Sequence, residues 1–223
     1  MFNIHTVNFT NLDLSALQSD ELAHLYLNKA ELARYANYNS VINQQQFLLS
    51  RVVIKKLYLN SDEVLNQFEL MFDKQRQCLT LHLANGQYLF ISLTHSDCYL
   101  AFTVSNRYSA IGIDIEIPKR KRDIKNIAIE YFAQSESRDM TEDKFYRLWT
   151  LKEATAKATQ QGLADIIGID VEQLIADKSL ICYCDINDSY YLSYVADKAL
   201  FERNGNVLVK PVNHWLSISA NDI

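Results

Sequence analysis

Glycine is nearly missing from this chain of 223 residues. The five present are Gly86, Gly112, Gly162, Gly168 and Gly205, and no two are clustered. Their scatter excludes the G-x-G-x-x-G fingerprint and the P-loop, which need grouped glycines so that backbone N–H groups can approach a phosphate. If the chain handles a phosphate compound, side chains and a metal must hold it. G-x-S-x-G and H-E-x-x-H are also absent, which removes the nucleophile elbow and the zinc-protease helix. The four cysteines, Cys78, Cys98, Cys182 and Cys184, form no C-x-x-C pair. Their spacing suits no zinc site, so reduced, packed cysteines in a cytoplasmic protein are expected. Basic excess is missing too: 22 Lys and Arg face 27 Asp and Glu, for a net charge of −5. That argues against a general nucleic-acid binder. No apolar stretch approaches the length of a membrane span. The first residues lack the basic-then-apolar pattern of a signal peptide, so none is expected.

What is present is an ordinary globular composition, 48% hydrophobic and 22% charged, with length enough for a substantial core in one or two domains. Phe2 to Val7 reads as a strand and Asp20 to Tyr35 as helical. Asn28-Lys29-Ala30-Glu31 has the form of a capping box that starts a new helix. Val41 to Leu59 carries an apolar stripe at Phe47, Leu48, Val52 and Leu57 and predicts a helix. The period then changes. Phe68–Phe72, Cys78–Leu83, Tyr88–Leu93 and Cys98–Ser105 read as strands joined by turns at Asp73–Arg76, Asn85-Gly86 and Thr94–Asp97.

The second half repeats this order loosely. A strand at Ala110–Ile117 leads to helices near Asp123–Phe132 and Asp143–Gln160, with Gly162 as the stop signal for the latter. Strand-like pieces follow at Gly168–Val171, Ser179–Cys184, Tyr190–Ala196, Val207–Pro211 and Trp215–Ser219. No residue-level repeat and no long Pro/Gly/Ser linker is visible, so the halves should pack tightly. The reading is α+β in two related subdomains.

The chemistry concentrates in two acidic clusters. In Ile111-Gly112-Ile113-Asp114-Ile115-Glu116, strand alternation sends the isoleucines one way and Gly112, Asp114 and Glu116 the other. Two carboxylates on one face can reach a common cation, and Gly112 leaves room for a ligand. In the second cluster, Trp149 to Lys157, Glu153 and Lys157 share a helix face. Taken singly, the first reads equally well as a solvated acidic strand and the second as a surface ion pair. Together they supply oxygen ligands for a hard cation and a lysine for phosphate charge. Glu136 lies between the clusters as a base or a helix-end acid. Thr94-His95-Ser96, placed at a hairpin tip, can donate hydrogen bonds to a phosphate. Lys119-Arg120-Lys121-Arg122 is a dense basic run: a solvated loop, or a landing patch for phosphates or an acidic partner.

In this order the segments resemble the 4′-phosphopantetheinyl transferase superfamily, in its long, surfactin-synthetase-activating type. Gly112–Glu116 matches its G-[IV]-D-[IV]-[ED] strand and Tyr131–Glu136 its helix end. Trp149–Lys157 matches W-x-x-K-E-[AS]-x-x-K, and Ser92–Ser96 matches the upstream histidine segment. The resemblance covers roughly residues 45–165. It implies transfer of the 4′-phosphopantetheine arm of coenzyme A to a serine of an acidic acyl or peptidyl carrier protein, with release of 3′,5′-ADP. It also implies Mg²⁺ (or Mn²⁺) held by Asp114, Glu116 and Glu153, and Lys157 on phosphate. Glu136 or Glu153 would be the base. Arg51, Lys74, Thr94 and His95 would join Lys157 in gripping coenzyme A. The family's G-K-P turn survives here only as Lys74, and a basic residue usual before Arg51 is replaced within Asn43–Gln46. Lys29 or Arg34 could stand in for it. By length the chain resembles two short synthase units fused, residues 1–106 against 107–223, as a monomer with pseudo-twofold symmetry. Two competing readings are a non-catalytic carrier-binding module and a Mg²⁺-dependent phosphohydrolase.

Overall fold

Hydrophobic alternation builds two sheets, and two long amphipathic helices cover their outer faces. The computed structural model describes residues 2–9, 20–59, 64–74, 78–83, 85–106, 110–118, 122–199 and 207–211. In the first sheet, β1 (Phe2–Asn8), β2 (Leu70–Asp73), β3 (Cys78–His82), β4 (Tyr88–Ser96), β5 (Tyr99–Ser105) and β9 (Val207–Pro211) lie in the order β2-β3-β4-β5-β1-β9. The neighbours are antiparallel except β1 and β9, which run parallel. The second sheet, in the order β6-β8-β7, contains β6 (Ile111–Glu116), β7 (Leu180–Ile186) and β8 (Tyr191–Asp197), all antiparallel. The expected α+β class is borne out. The strand β9 returns to the first sheet although it lies far beyond residue 106.

Three buried clusters define the layers. Phe47, Leu48, Val52 and Ile54 of α3 (Val41–Tyr58) pack on Val7, Leu81, Ile91, Leu100 and Phe102 of the first sheet. Phe145, Leu148, Leu151, Ala154 and Ala158 of α6 (Glu142–Thr159) pack on Val195 and its neighbours in the second. Between the sheets lie Ile4, Ala101, Ile111, Ile113, Ile115, Leu192, Tyr194 and Ala196. The order is helix, sheet, sheet, helix. The isoleucines of β6 face the inter-sheet core, as alternation requires.

The short helices are set by their caps. The helical region near the N-terminus divides into α1 (Asp20–Tyr26) and α2 (Lys29–Ala36), and α2 starts on the expected capping box of Asn28 and Glu31. Glu31 has a second task. Its carboxylate lies 2.5 Å from Lys55 Nζ, with both side chains fully buried, and accepts the Leu70 N–H at 2.9 Å. Lys55 also donates to the Tyr26 carbonyl at 2.7 Å. The arrangement recurs in the second half. Glu136, the N3 residue of α5 (Gln134–Ser137), lies 2.6 Å from Lys152 Nζ and accepts the Val171 N–H at 2.9 Å. Lys152 also donates to the Ile169 carbonyl at 2.5 Å. In each case a glutamate that starts a short helix locks a lysine of the long helix.

Three local expectations are corrected. Thr94, His95 and Ser96 are not a hairpin tip: they lie inside β4, and the turn falls at Asp97-Cys98, where Asp97 takes φ 49°. Helix α6 closes at Gln160, φ 58°, not at Gly162, which instead caps α7 (Leu163–Ile166). Gly168–Val171 is a turn into α8 (Val171–Asp177), capped by the Asp170 side chain on Gln173 N. The remaining helix, α4 (Ile124–Tyr131), is capped in the same way by Asp123. The segment Trp215–Ser219 lies outside the described residues.

Gly112 is the tightest point. A Cβ there would sit 1.9 Å from the Ala154 carbonyl oxygen and 2.7 Å from Ala158 N, so α6 rests directly on the β6 backbone. Gly112→Ala should cost about 3 kcal/mol, the upper range of overpacking, because the clash is with backbone that cannot rotate away. Urea unfolding measures this; a loss below about 1 kcal/mol would mean that α6 is not seated as described.

Candidate active site

The contact at Gly112 sets the site. With α6 pressed against β6, the two carboxylates of β6 and the polar face of α6 meet. Each of Asp114, Glu116 and Glu153 offers an oxygen, and these atoms all lie within 4.8 Å of one another. Lys157 Nζ, a helical turn beyond Glu153, donates to Asp114 Oδ1 at 2.8 Å and to the Ile113 carbonyl at 2.9 Å. The expected quartet is therefore brought together.

Strand β6 is the edge of the second sheet, and β4 lies alongside it without a backbone ladder. Side chains make the join. Ser92 Oγ accepts the Ile113 N–H at 3.1 Å, and Ser96 Oγ accepts the Ile117 N–H at 3.2 Å. Thr94 Oγ1 donates to Asp114 Oδ1 at 2.8 Å and Ser96 Oγ donates to Glu116 Oε2 at 3.0 Å. Asp114 is 3% exposed, yet its Oδ2 takes no hydrogen bond. A buried carboxylate oxygen without a donor is costly. Its position among three carboxylates, with an all-oxygen donor set, fits a hard divalent cation such as Mg²⁺ or Mn²⁺.

These groups line a cavity of about 470 Å³ whose walls also include Phe72, Leu79, Leu93 and His95. A second cavity of about 200 Å³, lined by Tyr38, Asn43, Gln46, Phe47, Ser50 and Arg51, shares Leu93 and His95 with the first. His95 thus stands where the two meet. Desolvation lowers its pKa and the Lys157 charge lowers it further, favouring the neutral imidazole. Arg51 is buried, stacks 3.8 Å over Phe47 and donates to Ser50 Oγ at 2.8 Å. Burial pushes its pKa down to about 10, so it stays charged at neutral pH. Lys74 is exposed in the turn after β2 and does not line either cavity.

Glu136 is not brought to the cluster. Both its oxygens are engaged, with Lys152, the Val171 N–H and the Ala133 N–H, and it lines neither cavity. Arg34 is committed to an ion pair with Glu69, so it is not a spare cation for the second cavity. Lys119, Arg120 and Lys121 lie outside the described residues. Arg122 turns inward, 4.3 Å over the Trp149 ring, with its guanidinium 3.9 Å from Glu116 Oε1. Sequence reasoning treated it as part of a surface run. It also missed Ser96 as a partner of Glu116; the regular spacing of Ser92, Thr94 and Ser96 along a strand was the available signal.

Residues 110–199 match the family model of the 4′-phosphopantetheinyl transferase superfamily. Over 204 residues, covering 86% of this chain and 78% of the relative, the sequence is 25% identical to a Synechocystis sp. protein provisionally described as a 4′-phosphopantetheinyl transferase. It is 28% identical over 170 residues to the 4′-phosphopantetheinyl transferase HetI of Nostoc sp., covering 72% of this chain and 70% of HetI. The resemblance read from the motifs is borne out, and with it the expectation of a transferase enzyme. Among the described residues, no helix is long and apolar enough to cross a membrane.

Burial pushes the Glu153 carboxyl up to about 7 from an ordinary 4.5, helped by the charges of Asp114 and Glu116. The folded chain therefore binds a proton that the unfolded chain has lost, and this group's contribution to stability declines as pH rises from about 4.5 to about 7. In EDTA, the stability gain of Glu153→Gln over wild type should grow across that window and level off above it. Mg²⁺ should reverse the wild-type slope, since a cation favours the carboxylate. Urea titrations at stepped pH test this; a flat difference counts against it.

Proposed function

We propose that this protein transfers the 4′-phosphopantetheine arm of coenzyme A to a serine of an apo acyl or peptidyl carrier domain, releasing 3′,5′-ADP. The observation that carries this reading is the convergence of Asp114, Glu116, Glu153 and Lys157 on one cavity, within the segment that matches the transferase family.

Asp114, through its free Oδ2, with Glu116 and Glu153 would hold Mg²⁺ or Mn²⁺. A bound cation there neutralises pyrophosphate charge and polarises the phosphoryl oxygens. Lys157 supplies a positive charge beside the same point, to steady the leaving phosphate. The serine Oγ attacks the β-phosphorus, and its proton passes to a carboxylate. Glu153 suits that step because it lies in the cavity, beside the point where the pyrophosphate would be held. Glu136, engaged with Lys152, acts as a positioning residue. Arg51 and His95 stand at or between the two cavities, where coenzyme A phosphates would be held, while Thr94 lies beside them with its one proton given to Asp114. Lys74, exposed on the β2–β3 turn, would reach coenzyme A from outside. The carrier, an acidic helical domain, would be drawn by Lys119 to Lys121. The working unit is proposed to be a cytoplasmic monomer whose halves, 1–106 and 107–223, share one site.

Incubation with coenzyme A, Mg²⁺ and apo carrier, followed by mass spectrometry, should show a carrier gain of roughly 340 Da. Asp114→Ala and Glu153→Ala should abolish the gain while the far-UV circular dichroism stays native. No gain across fatty-acid, polyketide and peptide carriers would favour a binding module, and phosphate release without carrier modification a phosphohydrolase. Glu136→Gln separates the two bases. It should lose about 3 kcal/mol of stability, because Lys152 is left buried and unpaired, yet its residual turnover should keep the wild-type pH profile. A shifted acidic limb would return Glu136 to the chemistry.

A further inference from the structure

Strand β4 presents three hydroxyls at alternate positions, Ser92, Thr94 and Ser96, and all three face β6. Their tasks differ. Ser92 accepts a backbone N–H, that of Ile113, at 3.1 Å. Thr94 donates to Asp114 Oδ1 at 2.8 Å. Ser96 does both: it accepts the Ile117 N–H at 3.2 Å and donates to Glu116 Oε2 at 3.0 Å. A serine has one proton to give. With the backbone N–H filling a lone pair, the Ser96 hydroxyl has a single productive orientation, and it points at Glu116. Thr94 and Lys157 together occupy Asp114 Oδ1, so the oxygen left without a partner is Oδ2. Ser92, Thr94 and Ser96 are all at least nine-tenths buried, so water does not compete for these bonds.

We infer that Thr94 and Ser96 are positioning residues of the metal site, fixing which oxygens of Asp114 and Glu116 face the cation, while Ser92 only fastens the two strands together. The inference rests on the metal reading of the cluster. It gives the N-terminal half a part in a centre whose carboxylates all come from the C-terminal half. Hydrogen-bonded partners of metal ligands typically change metal affinity by about 10- to 100-fold when removed.

The test is Mn²⁺ alone, titrated into the full chain and followed by electron paramagnetic resonance, with no coenzyme A or carrier present. Ser96→Ala and Thr94→Val should each weaken Mn²⁺ binding about tenfold, and Ser96→Thr should restore it. Ser92→Ala is the control. It should lower the urea midpoint as much as Ser96→Ala does, yet bind Mn²⁺ like wild type. If Ser96→Ala binds within about twofold of wild type, or if Ser92→Ala weakens binding equally, the inference is overturned while the metal reading stands. If the wild-type protein takes up no Mn²⁺, both fall together.

Discussion

Everything at the site depends on the approach of α6 to β6 at Gly112. A side chain there would meet the backbone of α6, so only glycine lets the helix lie flat on the strand. That contact brings Glu153 and Lys157 to the level of Asp114 and Glu116. The cost is electrostatic: three carboxylates share a partly buried space, and the pressure appears in the raised pKa of Glu153. Lys157 relieves some of it by pairing with Asp114. A divalent cation would relieve the remainder, and that relief would add to its binding energy.

The two buried Glu–Lys pairs give the frame its rigidity. Glu31 with Lys55 ties α2 and the start of β2 to α3; Glu136 with Lys152 ties α5 and the start of α8 to α6. Isolated buried ion pairs are weak evidence for stability. Here the spare valences are used as well, on helix caps and backbone groups, so removing either partner strands several polar groups at once. The same device in both halves is the clearest internal likeness between them. It is carried by a handful of contacts, not by a run of similar residues.

Much of this was legible in the sequence. Alternation in Ile111–Glu116 placed both carboxylates on one face, and the spacing of Glu153 and Lys157 placed those on another; the structure brings the two faces together. The capping box at Asn28 and Glu31 was readable for the same reason, since it is local. What the sequence did not show was whatever depended on distant partners. His95 looked like a turn residue because Thr-His-Ser-Asp is polar, but pairing with β5 carries the strand through to Ser96. Glu136 looked chemical because it lies between two chemical motifs. Its lysine is sixteen positions away on another helix, and no local pattern announces such a pair. Arg122 was read with its basic neighbours, yet the Trp149 ring draws it inward.

The parallel pairing of β1 with β9 bears on how the molecule is made. Strand β1 precedes the other described elements in the chain, and β9 follows α6 by about fifty residues. Until β9 is synthesised, one side of β1 is an open edge with unsatisfied backbone groups, the kind of surface that recruits stray strands. The N-terminal sheet can thus begin early but closes late. Its completion waits for the last of the described strands, by which point β4, β6 and α6, with all the residues of the candidate site, have been synthesised.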